Sequence, residues 1–180
     1  MLEPDRRAIF DELEQATVTF RRLAADMMPE DLERRTDGTR WTNREMLFHM
    51  LFGYFLVRTL IPLVKGFSRL PRPFSAVFAA VLNAGTRPFH PINYVGSWAG
   101  GRLLSPAFMQ RRFARVCRQL ARQLADETDR SLARGMCFPT GWDPFFKPYM
   151  TLRDVYHYPT QHFEFHRQQL ALGGPRQVGD

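Results

Sequence analysis

Two capping boxes constrain the fold of this chain most strongly, because each one fixes the residue at which a helix begins. In the stretch WTNRE, Thr42 precedes Glu45 by three positions, and in the stretch TLRD, Thr151 precedes Asp154 by the same spacing. In such a box the threonine and the acidic side chain satisfy two backbone amides that would otherwise lack an acceptor. We therefore predict one helix that begins at Asn43 and another that begins directly after the second threonine.

Two further helices follow from apolar spacing and from proline. Residues 4–28 carry apolar side chains at helical intervals and have Pro4 in the first turn, where proline is tolerated. A later helix has Ser105 as its N-cap and Pro106 at its first position, and we expect it to run to Gly135. The sequence therefore predicts four long helices.

Prolines and glycines indicate where the two capped helices end. We expect the second helix to end near Pro62, because an interior proline removes a backbone hydrogen bond and clashes with the preceding turn. The fourth helix is expected to continue to Gly173 and Gly174. Pro159 lies inside it and should bend or restart the helix.

The segment of residues 65–104 separates the second long helix from the third. It is too long for an ordinary loop between helices and too apolar for a disordered linker, so we expect it to be structured. Residues 74–82 are predicted to form a short buried helix, and the glycine, proline and aromatic residues that follow suggest a lid or wall over a cavity. The predicted fold class is all-α, a four-helix bundle with a long crossover between helices two and three, in a single domain over residues 1–180.

Composition limits the class of protein. A chain of 180 residues with 44% hydrophobic residues can build one domain with a substantial core. Cys117 and Cys137 lack paired spacing, and no secretory signal is evident, so we expect reduced thiols in the cytoplasm. No stretch supplies about twenty uninterrupted apolar residues, so no transmembrane span is predicted.

The formal net charge of +7 raises nucleic acid and anionic membranes as partners. Most arginines, however, are scattered beside acidic residues, and only residues 111–123 form a concentrated basic stripe. We interpret this stripe as a solvated helix face rather than a track for phosphates. The sequence therefore predicts no nucleic-acid partner.

Three of the five histidines lie within HYPTQHFEFH, near the C-terminus. His162 and His166 are four positions apart and share one face of a helix, whereas His157 lies about 140° around the helix from His162. His49 is the natural third member of the group, because it lies beside an apolar stripe of helix two, where an unpaired imidazole is costly. The alternatives are a hydrogen-bonded core histidine and an ordinary histidine pair on a half-exposed helix.

Three neutral imidazoles suit Zn²⁺ or Ni²⁺ and leave a coordination position for water or substrate. Other polar residues are weaker candidates. Glu45 could accept a hydrogen bond from His49, and Tyr158 could face the site, although capping and core packing already explain these two residues. His90 is expected on the surface, and Asp143 is expected to cap a turn.

The stretches WTNREMLFHM (residues 41–50) and TLRDVYHYPTQHFEFHRQQL (residues 151–170) together resemble the DinB-like, or damage-inducible, superfamily of metalloenzymes. Helices one and three also fit in length and position, so the resemblance spans most of the chain. The family pattern is a histidine in the second helix and an H-x-x-x-H pair in the last. It places the metal ligands on His49, His162 and His166.

The resemblance implies a four-helix bundle, commonly dimeric, with a divalent metal such as nickel or zinc. Some relatives are thiol-dependent transferases or isomerases that use mycothiol, bacillithiol or glutathione. We therefore expect a cytoplasmic homodimer in which the metal and a low-molecular-weight thiol act on a small hydrophobic electrophile. The sequence leaves open whether the site is catalytic, as in a transferase or hydrolase. The alternatives are a non-catalytic metal- or ligand-binding bundle and a basic protein that binds nucleic acid or a membrane surface.

Overall fold

The structure, a computed structural model, describes residues 4–173. The predicted stop at Gly174 lies outside these residues. The described part of the chain contains α1 (Pro4–Asp26), α2 (Pro29–Glu33), α3 (Asn43–Phe67), α4 (Arg72–Ala84), α5 (Thr86–Leu103), α6 (Pro106–Ala125), α7 (Asp129–Leu132), β1 (Gly135–Cys137), β2 (Tyr149–Thr151) and α8 (Leu152–Arg167). The protein is mostly helical, which confirms the predicted all-α class.

Both capping boxes form as predicted. The Glu45 carboxylate accepts a hydrogen bond from the Thr42 amide at 2.9 Å, and the Thr42 hydroxyl accepts one from the Glu45 amide at 3.4 Å. The Asp154 carboxylate accepts from the Thr151 amide at 2.8 Å, and the Thr151 hydroxyl accepts from the Asp154 amide at 3.1 Å. Ser105 caps α6 through its hydroxyl. The predicted starts of α3, α6 and α8 are therefore confirmed.

An aromatic cluster joins four helices that carry much of the core, α1, α3, α6 and α8. The ring of Phe113 on α6 stacks on that of Phe20 on α1, with centroids 4.3 Å apart. Tyr54 on α3 and Phe163 on α8 approach the same Phe113 ring at 4.5 and 5.6 Å. All four side chains are buried. Large aromatic side chains supply much of the apolar area that a core removes from water, so this cluster fixes α1, α3, α6 and α8 against one another.

The prolines inside α3 and α8 do not end these helices. The prediction that helix two ends near Pro62 is wrong, because α3 continues to Phe67. Buried residues lie before and after each proline: Ile61 and Val64 in α3, and Tyr158 and Phe163 in α8. Burial of these turns outweighs the roughly 3 kcal/mol that an interior proline costs. The helix around Pro159 therefore neither stops nor restarts.

Two predicted helix ends lie too far along the chain. The α6 helix ends at Ala125 rather than at Gly135, and α8 ends at Arg167 rather than at Gly173. Gly135 instead begins β1, which pairs antiparallel with β2, a strand pair that the sequence did not predict. A Cβ atom on Gly135 would lie 2.4 Å from the carbonyl oxygen of Met150. The glycine thus permits close strand approach and is not a helix stop.

The segment between α3 and α6 is structured, as predicted, but it differs in detail. The short helix predicted for residues 74–82 is longer, and only Ser75 and Ala79 within it are buried, so the expected burial is wrong. The glycine- and proline-containing stretch that follows forms the helix α5. A Cβ atom on Gly101 would lie 2.7 Å from the Cα atom of Glu45. The absence of a side chain therefore lets α5 pack closely against the start of α3.

Within residues 4–173, α3 is the single helix that is long and apolar enough to cross a membrane. Half of its most apolar window is buried inside the protein. This test uses length and composition alone, and the core helix of a soluble protein passes it as well.

A salt bridge between α8 and α1 makes stability depend on pH. The Nδ1 atom of His157 lies 2.9 Å from a carboxylate oxygen of Glu12, and the two side chains are 24% and 31% exposed. The hydrogen bond that His157 donates to the Glu12 carboxylate raises the pKa of His157 and outweighs the opposing effect of burial. The folded protein thus binds this proton more tightly than the unfolded chain does. The stabilisation is complete below about pH 6.5, the pKa of an unperturbed histidine, and is lost as the pH rises through the raised pKa.

We predict that His157→Gln lowers the free energy of unfolding by about 0.5–1 kcal/mol at pH 5.5, and by much less at pH 9. Chemical denaturation at both pH values measures the difference between the variant and the unchanged protein. Glu12→Gln should remove the same pH-dependent contribution, and combining the two substitutions should add little. A loss that is equal at both pH values would contradict the assignment.

Candidate metal centre

Three histidines from two helices meet in the interior. His49 comes from α3, and His162 and His166 come from successive turns of α8. The centroids of their rings are 4.5–4.8 Å apart in each pair. One ring nitrogen from each residue can be chosen so that the three atoms all lie within 4.8 Å of one another. The structure therefore brings together the three residues that the sequence singled out.

The two other histidines lie elsewhere. His157 contacts Glu12 of α1, as described above, and His90 is exposed on α5. The expectations that His157 cannot join the pair and that His90 lies at the surface agree with these positions. The surface position of His90 is on a helix, however, and not in a loop.

Close packing fixes the rings of His49 and His162. The indole ring of Trp41 covers His49, with centroids 4.4 Å apart. Gly53, one turn after His49 on α3, faces the other ring, and a Cβ atom there would lie 2.7 Å from the Nδ1 atom of His162. The Nε2 atoms of His49 and His162 approach to 3.2 Å. A glycine at position 53 is therefore a condition for this arrangement.

Hydrogen bonds on the outer side of the rings direct two Nε2 atoms inward. The Nδ1 atom of His49 lies 3.1 Å from the hydroxyl oxygen of Ser97, and the Nδ1 atom of His166 lies 2.7 Å from the side-chain oxygen of Gln169. Ligating histidines are commonly held in this way through their second ring nitrogen, which fixes the tautomer and the orientation of the ring.

Ser97, and not Glu45 as the sequence suggested, is the hydrogen-bond partner of His49. The carboxylate of Glu45 accepts the amide of Thr42 and faces the guanidinium of Arg102 at 3.5 Å, and no hydrogen bond joins it to His49. Ser97 was missed because it lies on α5, far away in the sequence, and the only local sign is a run of small residues around it. Gly100 and Gly101, in that run, permit the close approach of α5 to α3.

Burial keeps the three imidazoles neutral. It lowers the pKa of His49 to about 3, and the positive charge that His166 would carry is a second cause. Burial also lowers the pKa of His162 well below its ordinary value, and the neighbouring His49 and His166 act in the same direction. The pKa of His166 is lowered by burial, although Gln169 opposes this effect. Neutral imidazole is the form that binds metal ions.

The donor set fits a divalent ion. Three neutral nitrogen donors in a buried site suit borderline ions such as zinc and nickel. The Nδ1 atom of His162 is buried without a hydrogen-bond partner among the residues that the structure describes. The second ring nitrogens of His49 and His166, by contrast, are held by Ser97 and Gln169.

A cavity of about 190 Å³ adjoins the three histidines. Its wall is mainly aromatic and apolar, with contributions from Trp41, Phe52, Leu56, Phe89, Trp142 and Phe165. Phe89 lies on α5, so the segment between α3 and α6 does form part of a wall over a cavity, as predicted. A pocket with this lining favours a small, largely hydrophobic molecule.

Two of the polar side chains that line the cavity are joined by a hydrogen bond. The hydroxyl of Tyr158 donates to the Oδ2 atom of Asp143 at 2.8 Å, and the Oδ1 atom of Asp143 accepts from the Phe145 amide at 2.9 Å. The predicted turn-capping role of Asp143 agrees with the second contact. Sequence reasoning did not predict that the carboxylate faces the histidines. The sequence shows only that Asp143 lies in a turn before β2. Such a position does not indicate the direction in which the side chain points.

Comparison with known families agrees with this geometry. The sequence model of the DinB superfamily matches residues 12–170, which include both capping boxes and all three clustered histidines. No curated protein and no solved structure matches the chain. The family match covers most of the chain and confirms the resemblance carried by the two histidine-containing stretches. This protein therefore belongs to the DinB superfamily.

Proposed function

We propose that this protein is a metal-dependent enzyme in which His49, His162 and His166 hold one divalent ion, either zinc or nickel. The observation that carries the proposal is the convergence of three imidazoles, two of them buried and that of His166 half-buried, whose ring centroids lie 4.5–4.8 Å apart. The hydrogen bonds of the His49 and His166 Nδ1 atoms to the oxygens of Ser97 and Gln169 support it, because they leave the Nε2 atoms free to bind a metal ion.

The chemistry that we propose is thiol transfer or isomerisation on a small hydrophobic electrophile, with a low-molecular-weight thiol such as mycothiol as cosubstrate. A divalent ion at the three histidines would lower the pKa of a bound thiol or polarise a carbonyl. The protein would supply the rest: the aromatic wall binds the electrophile and excludes bulk water, and Trp41 and Ser97 hold His49 in position. Family membership and the apolar cavity support this proposal.

A second proposal is that the ion is structural. The three histidines come from α3 and α8, so an ion held by them would tie these helices together. On this proposal, removing the ion lowers the stability of the protein, and no thiol binds or reacts at the site.

We further propose the architecture and setting that the sequence suggested: one domain over residues 1–180, built on a four-helix bundle of α1, α3, α6 and α8, as a cytoplasmic homodimer. The aromatic cluster shared by these four helices supports the bundle. Cys117 and Cys137 form no disulfide, which agrees with a reducing compartment.

Metal content tests the site directly. We predict one ion per chain by elemental mass spectrometry after incubation of tag-free protein with zinc, nickel, manganese and iron. His49→Ala, His162→Ala and His166→Ala should each lose the ion, because each removes one nitrogen donor. His90→Ala is the matched control and should retain it, since His90 is exposed on α5. Absence of bound ion in the unchanged protein would refute the metal centre.

Thiol turnover separates the enzyme from the structural alternative. We predict that the metal-loaded protein accelerates the reaction of a thiol with 1-chloro-2,4-dinitrobenzene, in which a carbon–sulfur bond forms and chloride leaves. Mycothiol, bacillithiol and glutathione are each tested, with conjugate absorbance as the readout and His162→Ala as the control. If none of the three thiols binds or reacts, while loss of the ion lowers the melting temperature, the structural role is supported instead.

Gly53 offers a test of the geometry of the centre. We predict that Gly53→Ala lowers metal affinity by about tenfold or more, because the new Cβ atom would displace the His162 ring. Gly66→Ala is the matched control on the same helix, since a Cβ atom at Gly66 meets no other atom within 4 Å. Competition with a chromophoric chelator measures both variants. Equal affinities would show that the position of His162 does not depend on Gly53.

A further inference from the structure

The carboxylate of Asp143 faces the three-histidine centre from outside α3 and α8. Its Oδ2 atom lies 3.8 Å from the Nε2 atom of His162, and its side chain is 14% exposed. It lines the same cavity as the histidines. The hydrogen bonds from Tyr158 and from the Phe145 amide hold both carboxylate oxygens in place. The orientation of this acid toward His162 is therefore set by the surrounding structure.

The carboxylate of Asp143 has no lysine or arginine partner among the residues that the structure describes. The basic group in contact with it is the imidazole of His162, at 3.8 Å. Buried carboxylates are costly unless they are paired with a cation or bind a metal ion. Two hydrogen bonds satisfy part of the carboxylate but supply no positive charge.

Two of the separations at the centre are short enough for ligands that share one ion. Nitrogen and oxygen ligands bind zinc at about 2.0–2.2 Å, so two ligands of one ion lie no more than about 4.4 Å apart. The separation of 3.8 Å between Asp143 and His162 and that of 3.2 Å between His49 and His162 both satisfy this limit. A ligating carboxylate is also commonly hydrogen-bonded by a neighbouring group, and the Tyr158 hydroxyl does this here.

We infer that Asp143 supplies a carboxylate oxygen as a fourth protein ligand at the centre formed by His49, His162 and His166, and that Tyr158 holds this oxygen in position. The inference rests on the proposed metal site and extends it from three ligands to four. It also bears on the identity of the metal. Four protein ligands fill a tetrahedral zinc site, whereas an ion that accepts five or six ligands keeps a position open for substrate. Tetragonal nitrogen and oxygen sites suit nickel.

The test compares Asp143→Asn with the unchanged protein. Asparagine keeps the shape of the side chain and an oxygen that can accept the Phe145 amide, but it loses the anionic ligand. We predict that affinity for nickel and zinc falls about 10- to 100-fold, as measured by chelator competition. The visible absorption spectrum of the cobalt-substituted protein should change as well, because a ligand is lost or replaced. A residue that only packs against the site would leave this spectrum unchanged.

Glu164→Gln is the matched control. It removes one negative charge from α8 between the two histidines, but Glu164 pairs with Arg167 at 2.8 Å and does not line the cavity. We expect its affinity and its cobalt spectrum to match those of the unchanged protein. Equal losses in both variants would assign the effect to net charge near the centre and would overturn the inference.

Tyr158→Phe provides a second variant, which retains the Asp143 carboxylate but removes the hydroxyl that positions it. Loss of its hydroxyl should lower metal affinity by a smaller factor and should shift the cobalt spectrum. The inference is overturned if the unchanged protein binds an ion through the three histidines while Asp143→Asn and Tyr158→Phe match it in affinity and spectrum. If the unchanged protein binds no ion at all, the proposed metal centre fails, and the two failures are thereby distinguished.

Discussion

The packing of α3 against α8 is the contact on which the rest of this structure depends. It brings His49 within 3.2 Å of His162 and places Tyr54 and Phe163 around the ring of Phe113. The polar centre and the aromatic core therefore lie along the same pair of helices. Burial in this interface lowers the pKa values of His49 and His162 and so favours their neutral form. Stability and chemistry thus rest on one helix interface.

The segment between α3 and α6 completes this interface. Glycines in α5 bring its backbone close to the start of α3, which places Ser97 beside His49 and Phe89 in the wall of the cavity. The segment is therefore part of the site rather than a separate attachment. It also exposes several large apolar side chains to solvent, among them Phe74 and Val81 on α4.

Short-range patterns predicted the helix starts well. Each capping box joins residues three positions apart, so Thr42 with Glu45 and Thr151 with Asp154 specify their helices without help from the rest of the chain. The ends were predicted less well, because they depend on burial. Pro62 lies within a helix whose neighbouring turns pack in the core. Gly135 belongs to a strand that pairs with β2, and no local sequence pattern predicted this pairing. Propensity yields to tertiary packing at such positions.

The residues of the candidate site also fall into two groups: those that the sequence predicted and those that only the tertiary structure placed at the site. The sequence by itself determined the pair His162 and His166, because a spacing of four on a helix fixes their common face. It also singled out His49, because an imidazole beside an apolar stripe needs a partner. Only the tertiary structure decided that Ser97 supports His49 and that Asp143 faces His162. These contacts join residues from separate elements, and sequence spacing carries no information about the direction in which a turn or a distant helix presents its side chains.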